Sequence, residues 1–176
     1  RSNNTFKMYK KGWRGINIDL NPLTIELFNY ARKKDINICS AISNKKTQKK
    51  LYFLGDLDSK NTLNLNHKQW LSKHFRINKK DFTIKNVKTR KLGDILEKYN
   101  FYKIDFMNID IEGHELEVLK SLDFKKFNIQ VICIEILNYN NSTLERKKKL
   151  ISFLKKNKYS LAGRSTVNYI FKRKNR

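Results

Sequence analysis

Ile104-Asp105-Phe106-Met107-Asn108-Ile109-Asp110-Ile111-Glu112-Gly113-His114-Glu115-Leu116-Glu117-Val118-Leu119-Lys120 is the stretch that decides the fold. Ile104 to Asp110 reads as a buried strand. Glu112 to Leu122 reads as a helix whose apolar face carries Leu116, Val118, Leu119 and Leu122. A buried strand feeding directly into a helix belongs to an α/β architecture. Three acids (Asp110, Glu112, Glu115) and His114 gather where strand becomes helix.

The same alternation extends in both directions. Upstream, Gly15 to Asp19, Ile36 to Ile42, Leu51 to Leu54 and Phe82 to Lys88 read as strands. Between them, Thr5 to Lys11, Pro22 to about Lys33, Lys68 to Phe75 and Leu92 to Tyr99 have helical spacing. Pro22 suits a first helical turn, where its missing N–H is not needed. Downstream, Gln130 to Leu137 is the most apolar strand, and Leu144 to Lys156 is a helix bearing Leu150, Ile151, Phe153 and Leu154. Tyr159 to Ala162 and Val167 to Phe171 are joined too tightly for a crossover, so they pair antiparallel. The expectation is one α/β domain over residues 1–176: a mostly parallel sheet between two helical layers, with an antiparallel C-terminal strand.

Composition narrows the class. The 176 residues carry 39 Lys and Arg against 16 Asp and Glu, a net charge of +23. Such a charge invites a nucleic-acid reading, but no basic stripe interleaves with aromatics and no helix-turn-helix, zinc-finger or RNP signature is present. Abundant Lys, Asn and Ile fit an A- and T-rich coding sequence, so nucleic acid is not the expected partner. No apolar run reaches the roughly 18 residues of a membrane helix. Cys39 and Cys133 both lie in apolar stretches, which excludes a disulfide framework and suits a reducing, cytoplasmic setting. The hydrolase, P-loop, zinc-protease and thioredoxin motifs are all missing.

In a parallel sheet, ligands bind beyond the carboxyl ends of the strands. Asp19 closes one strand, where an acid either accepts the vicinal hydroxyls of a ribose or caps the next helix. Asp110 and Glu112 are two apart, so an extended backbone aims both the same way. With His114 they can orient or deprotonate a hydroxyl, or hold a hard cation, while Glu112 and Glu115 also suit a helix N-terminus. Glu135 sits inside Val131 to Leu137 and must be paired or line a cavity; a substrate-facing cavity is the expectation. His67 and His74 flank Trp70 and read as surface or internally satisfied histidines.

These residues carry a resemblance. Gly12-Trp13-Arg14-Gly15-Ile16-Asn17-Ile18-Asp19-Leu20-Asn21-Pro22, the Asp110-to-Lys120 signature and Val131-Ile132-Cys133-Ile134-Glu135 resemble, in order and spacing, segments of the FkbM methyltransferases. The resemblance implies a Rossmann-like class I fold that binds S-adenosylmethionine and methylates a hydroxyl of a sugar, lipid or natural product. It implies that Asp19 holds the ribose, with Leu20, Asn21, Ile42 and Ser43 around the nucleoside. Asp110, Glu112 and His114 would face the methyl group and the acceptor. The family's first strand and glycine-rich loop have no counterpart here, so the chain reads as a domain lacking its N-terminal strand, with residues 1–14 corresponding to the helix that follows. The alternative class is a non-catalytic basic α/β module that binds nucleic acid or another polyanion.

Overall fold

The computed structural model describes residues 4–56, 58–136 and 141–174. In chain order the elements are α1 (Phe6–Lys10), β1 (Ile16–Asp19), α2 (Pro22–Ala31), β2 (Ile36–Cys39), β3 (Ala41–Ile42) and β4 (Gln48–Phe53). Then follow α3 (Leu65–His74), β5 (Thr83–Arg90), α4 (Leu92–Lys98), β6 (Lys103–Ile109) and α5 (Glu115–Leu119). The last are β7 (Asn128–Glu135), α6 (Asn141–Lys156), β8 (Tyr159–Arg164) and β9 (Asn168–Arg173). No helix among the described residues is long and apolar enough to cross a membrane.

The main core surrounds the four-stranded sheet β6-β7-β9-β8. Consecutive Ile132, Cys133 and Ile134 are all buried, and successive strand side chains point to opposite faces. Both faces of β7 are therefore covered, as its unbroken apolar run requires. Leu92 and Leu96 of α4, Val118 and Leu119 of α5, and Leu150 and Leu154 of α6 join that core. The Tyr159 hydroxyl donates to the Ile129 carbonyl at 2.7 Å. Burial pushes its pKa up to about 12, so this hydrogen bond keeps its proton.

Two smaller sheets flank the main one. β1 pairs parallel with β2, and β5 joins parallel β3 to antiparallel β4. A second core of Tyr52, Trp70, Leu71 and Phe82 forms between β4–β5 and α3. Among the described residues no strand bridges β1 to β6.

Several expectations are corrected. The sheet is not mostly parallel: among the described residues three strand pairs are parallel and three antiparallel, because β4–β5 forms an antiparallel ribbon. The antiparallel arrangement of β8 and β9 is as expected, and β9 also runs antiparallel to β7. Ile36 to Ile42 is two strands in different sheets, broken at Ser40, whose N–H donates to the Asp19 carbonyl at 2.8 Å. The helix expected from Glu112 starts at Glu115, because Glu112 and Gly113 both take positive φ, 50° and 93°. Helix α3 starts earlier than Lys68, at Leu65, because Asn64 caps it: its side chain accepts the N–H groups of Asn66 and His67. Leu137, the end of the expected Gln130-to-Leu137 strand, and residues 138–140 lie outside the described residues, and the helix expected from Leu144 begins at Asn141.

Candidate active site

β1 and β6 end in acids for a shared reason. Each is a short apolar strand that must turn into polar connection at its carboxyl end. Asp19 Oδ1 accepts the Asn21 N–H at 2.8 Å, which tightens the turn. Asn21 Oδ1 then accepts the Leu23 N–H at 3.0 Å and caps α2, with Pro22 next. The cap thus belongs to Asn21, and Asp19 stands at the rim of a cleft.

That cleft, about 130 Å³, is lined by Asp19, Leu20, Asn21, Ile42, Asp110, Glu112 and His114 together with Asp58 and Thr62. Seven residues picked from the sequence thus meet in one hollow. Two do not line it. Ser43 is fully buried, with Oγ 3.1 Å from His114 Nε2, so it stands behind the histidine. Glu135 lies at the tip of β7 beside Asp110, because the parallel register pairs Ile109 with Ile134. The Glu135 carboxyl pairs with Asp110, and the residue is not among those lining this cleft.

Glu112 reaches the cleft by an elbow, not along an extended strand. Its carbonyl accepts from Thr62 Oγ1 at 2.8 Å, and the Gly113 carbonyl accepts from Asn64 Nδ2 at 2.6 Å. Arg146 Nη1 adds a longer contact to that carbonyl at 3.3 Å. The Gly113 N–H donates to Glu115 Oε1 at 2.7 Å. Glu115 is therefore a buried brace of the elbow. Gly113 has φ 93°, which an L side chain rarely adopts, and a Cβ there would lie 2.7 Å from Arg146 Nη1, so a larger residue is strained and displaces the arginine.

These elements match a known sequence pattern. A model of the methyltransferase FkbM domain covers residues 1–161. The chain belongs to the FkbM methyltransferase family. No curated protein and no solved structure gives a significant match.

Electrostatics differ sharply across this FkbM domain. Burial lowers the His114 pKa to about 4, and the charges of Lys49 and Arg146 push the same way. At neutral pH the ring is uncharged and shares a proton with Ser43 Oγ. Burial raises Glu135 to about 8, aided by its hydrogen bond and charge contact with Asp110. Burial also raises Glu115, against the opposing pull of Arg146. Among the described residues no three His, Cys, Asp or Glu side chains are arranged to share a metal ion.

Four site residues escaped sequence reading. Asp58 and Thr62 fall in a polar loop with no periodic signal. His67 is buried, with Nε2 3.3 Å from Glu112 Oε2 but out of line for a hydrogen bond. Arg146 sits in a basic run that reads as a solvated helix face. Only the flanking of Trp70 by His67 and His74 offered a hint.

Proposed function

We propose that this FkbM domain transfers the methyl group of S-adenosylmethionine to a hydroxyl oxygen of a sugar, lipid or natural product. One observation carries the reading. A chain with 39 cations and 16 acids brings Asp19, Asp58, Asp110 and Glu112 to one cleft that no Lys or Arg lines. Lys60 Nζ reaches Asp58 at 3.2 Å from outside the lining, and acids grouped at one cleft favour a cationic ligand, of which a sulfonium is one.

The residues fit that cofactor. Asp19 offers paired oxygens to a ribose diol, while Leu20 and Ile42 border the cleft with apolar surface for a base. When bound, the cofactor supplies a methyl group already activated on sulfur. The protein holds an acceptor hydroxyl in line and takes its proton. Asp110 and Glu112 are the groups for that task. Glu135, protonated at neutral pH, donates to Asp110 and holds it toward the cleft. His114, neutral and tethered to Ser43, orients the hydroxyl. β1 and β6 each keep one edge unpaired among the described residues, and the cleft lies at their tips. We read this as the flanks of a Rossmann-like sheet with a position for one more strand between them.

Calorimetric titration of S-adenosylmethionine into the chain tests the reading. Asp19→Ala is expected to weaken binding about 10- to 100-fold, the usual worth of hydrogen bonds to a charged group. Absence of binding, or affinity untouched by Asp19→Ala, overturns it. The net charge of +23 favours polyanion binding as the second reading. Heparin affinity that falls steeply with salt, without cofactor binding, would establish that reading instead.

A further inference from the structure

Behind the Glu112–Gly113 elbow lies a second cavity, about 250 Å³, between α3 and α6. Its chemistry is opposite to that of the cleft. Arg146 and Lys149 line it, with the amides of Asn64 and Asn66 and one exposed carboxylate, Glu145. Among the described residues neither cation forms an ion pair. Arg146 gives one N–H to the Gly113 carbonyl and faces buried Glu115, whereas Lys149 is exposed and bound to nothing described.

Trp70 also borders the cavity, yet it offers no open ring face. His67 and His74 stack against it along the helix, at ring-centroid distances of 5.7 and 4.7 Å. A neutral sugar seated by aromatic stacking therefore finds no platform here. Recognition falls to the cations and the amides, which suit an anionic group: a guanidinium grips carboxylate or phosphate oxygens in a fork, and an ammonium adds a point charge.

His67 joins the two hollows. It lines this cavity, and its Nε2 is 3.3 Å from Glu112 Oε2, whose side chain lines the acidic cleft. We propose that the cavity is the acceptor's anchoring subsite, and that the acceptor is a hydroxyl compound bearing a carboxylate or a phosphate held by Arg146 and Lys149. This rests on the methyltransferase reading above. The division of labour is electrostatic: acids face the cationic donor, and cations one elbow away face the anionic acceptor.

The chain has two tryptophans, so Trp13→Phe leaves Trp70 as the sole indole reporter beside the cavity. Its emission is followed while glucose 6-phosphate, glucuronate and glucose are added at constant ionic strength. A saturable change with either charged sugar and none with glucose is expected. A response to one alone assigns a phosphate or a carboxylate to the acceptor. Lys149→Gln, at an exposed site, should weaken the response at least tenfold, and Lys172→Gln, exposed on β9, should leave it unchanged. No saturable change, an equal response to glucose, or an unaltered affinity in Lys149→Gln overturns the proposal. Calorimetry with S-adenosylmethionine on the same proteins keeps the two readings apart. Cofactor binding without the anion response removes only the subsite, and the anion response without cofactor binding removes the methyltransferase reading.

Discussion

Glu135 shows how one residue's chemistry is decided by its neighbour. A carboxyl at the end of so apolar a strand is expensive to ionise. The parallel register sets Asp110 beside it, and the second carboxylate makes ionisation harder still. Glu135 therefore keeps its proton up to about pH 8. Folded Glu135 binds the proton more tightly than the unfolded chain does. Its contribution to stability is full below the ordinary carboxyl range and is lost as pH rises through about 8. Urea unfolding at a series of pH values should show wild-type stability falling across that window relative to Glu135→Gln. Parallel pH profiles of the two proteins would rule the pairing out. That Glu135 must be paired or face a cavity was legible in the sequence. Which of the two depended on the register of β6 against β7.

At the scale of elements, the Glu112–Gly113 elbow is the feature that shapes the cleft. Sequence periodicity placed a helix from Glu112, since Glu at a helix start is favourable. The structure delays the helix to Glu115, because Thr62, Asn64 and Arg146 bind the two carbonyls and hold the left-handed turn. These partners are 33 to 50 residues away, beyond any local pattern. Gly113→Ala should then lose about 1–3 kcal/mol by denaturant unfolding, from strained φ and the clash with Arg146. Gly15→Ala serves as control: its Cβ meets nothing within 4 Å and its φ is not positive. A change within about 0.5 kcal/mol is expected there. Equal effects at the two glycines would mean that the elbow is not strained.

For the whole molecule, burial divides the structure unevenly. β7 contributes Ile129, Ile132 and Ile134 with no exposed surface, while β1 is only half-buried along its length. Among the described residues β1 and β2 pair with each other alone, and a two-stranded ribbon has little stability of its own. Native-state hydrogen exchange should find the amides of Ile132 to Ile134 slowest, near global unfolding, and those of β1 at least tenfold faster. Uniform protection across both sheets would show that they unfold as one unit.

The sequence alone determined the alternation of strands and helices, the antiparallel close of the chain and the acids at the tips of β1 and β6. It could do so because periodicity and polarity report the local division between core and solvent. Tertiary structure alone decided that Ile36 to Ile42 splits between two sheets, that Ser43 stands behind His114, and that His67 and Arg146 meet the Glu112–Gly113 elbow. Those outcomes are contacts between residues far apart in the chain, His114 and Ser43 being 71 positions apart. Such contacts are set by which strands pair and how helices pack over them, and no local pattern records that choice.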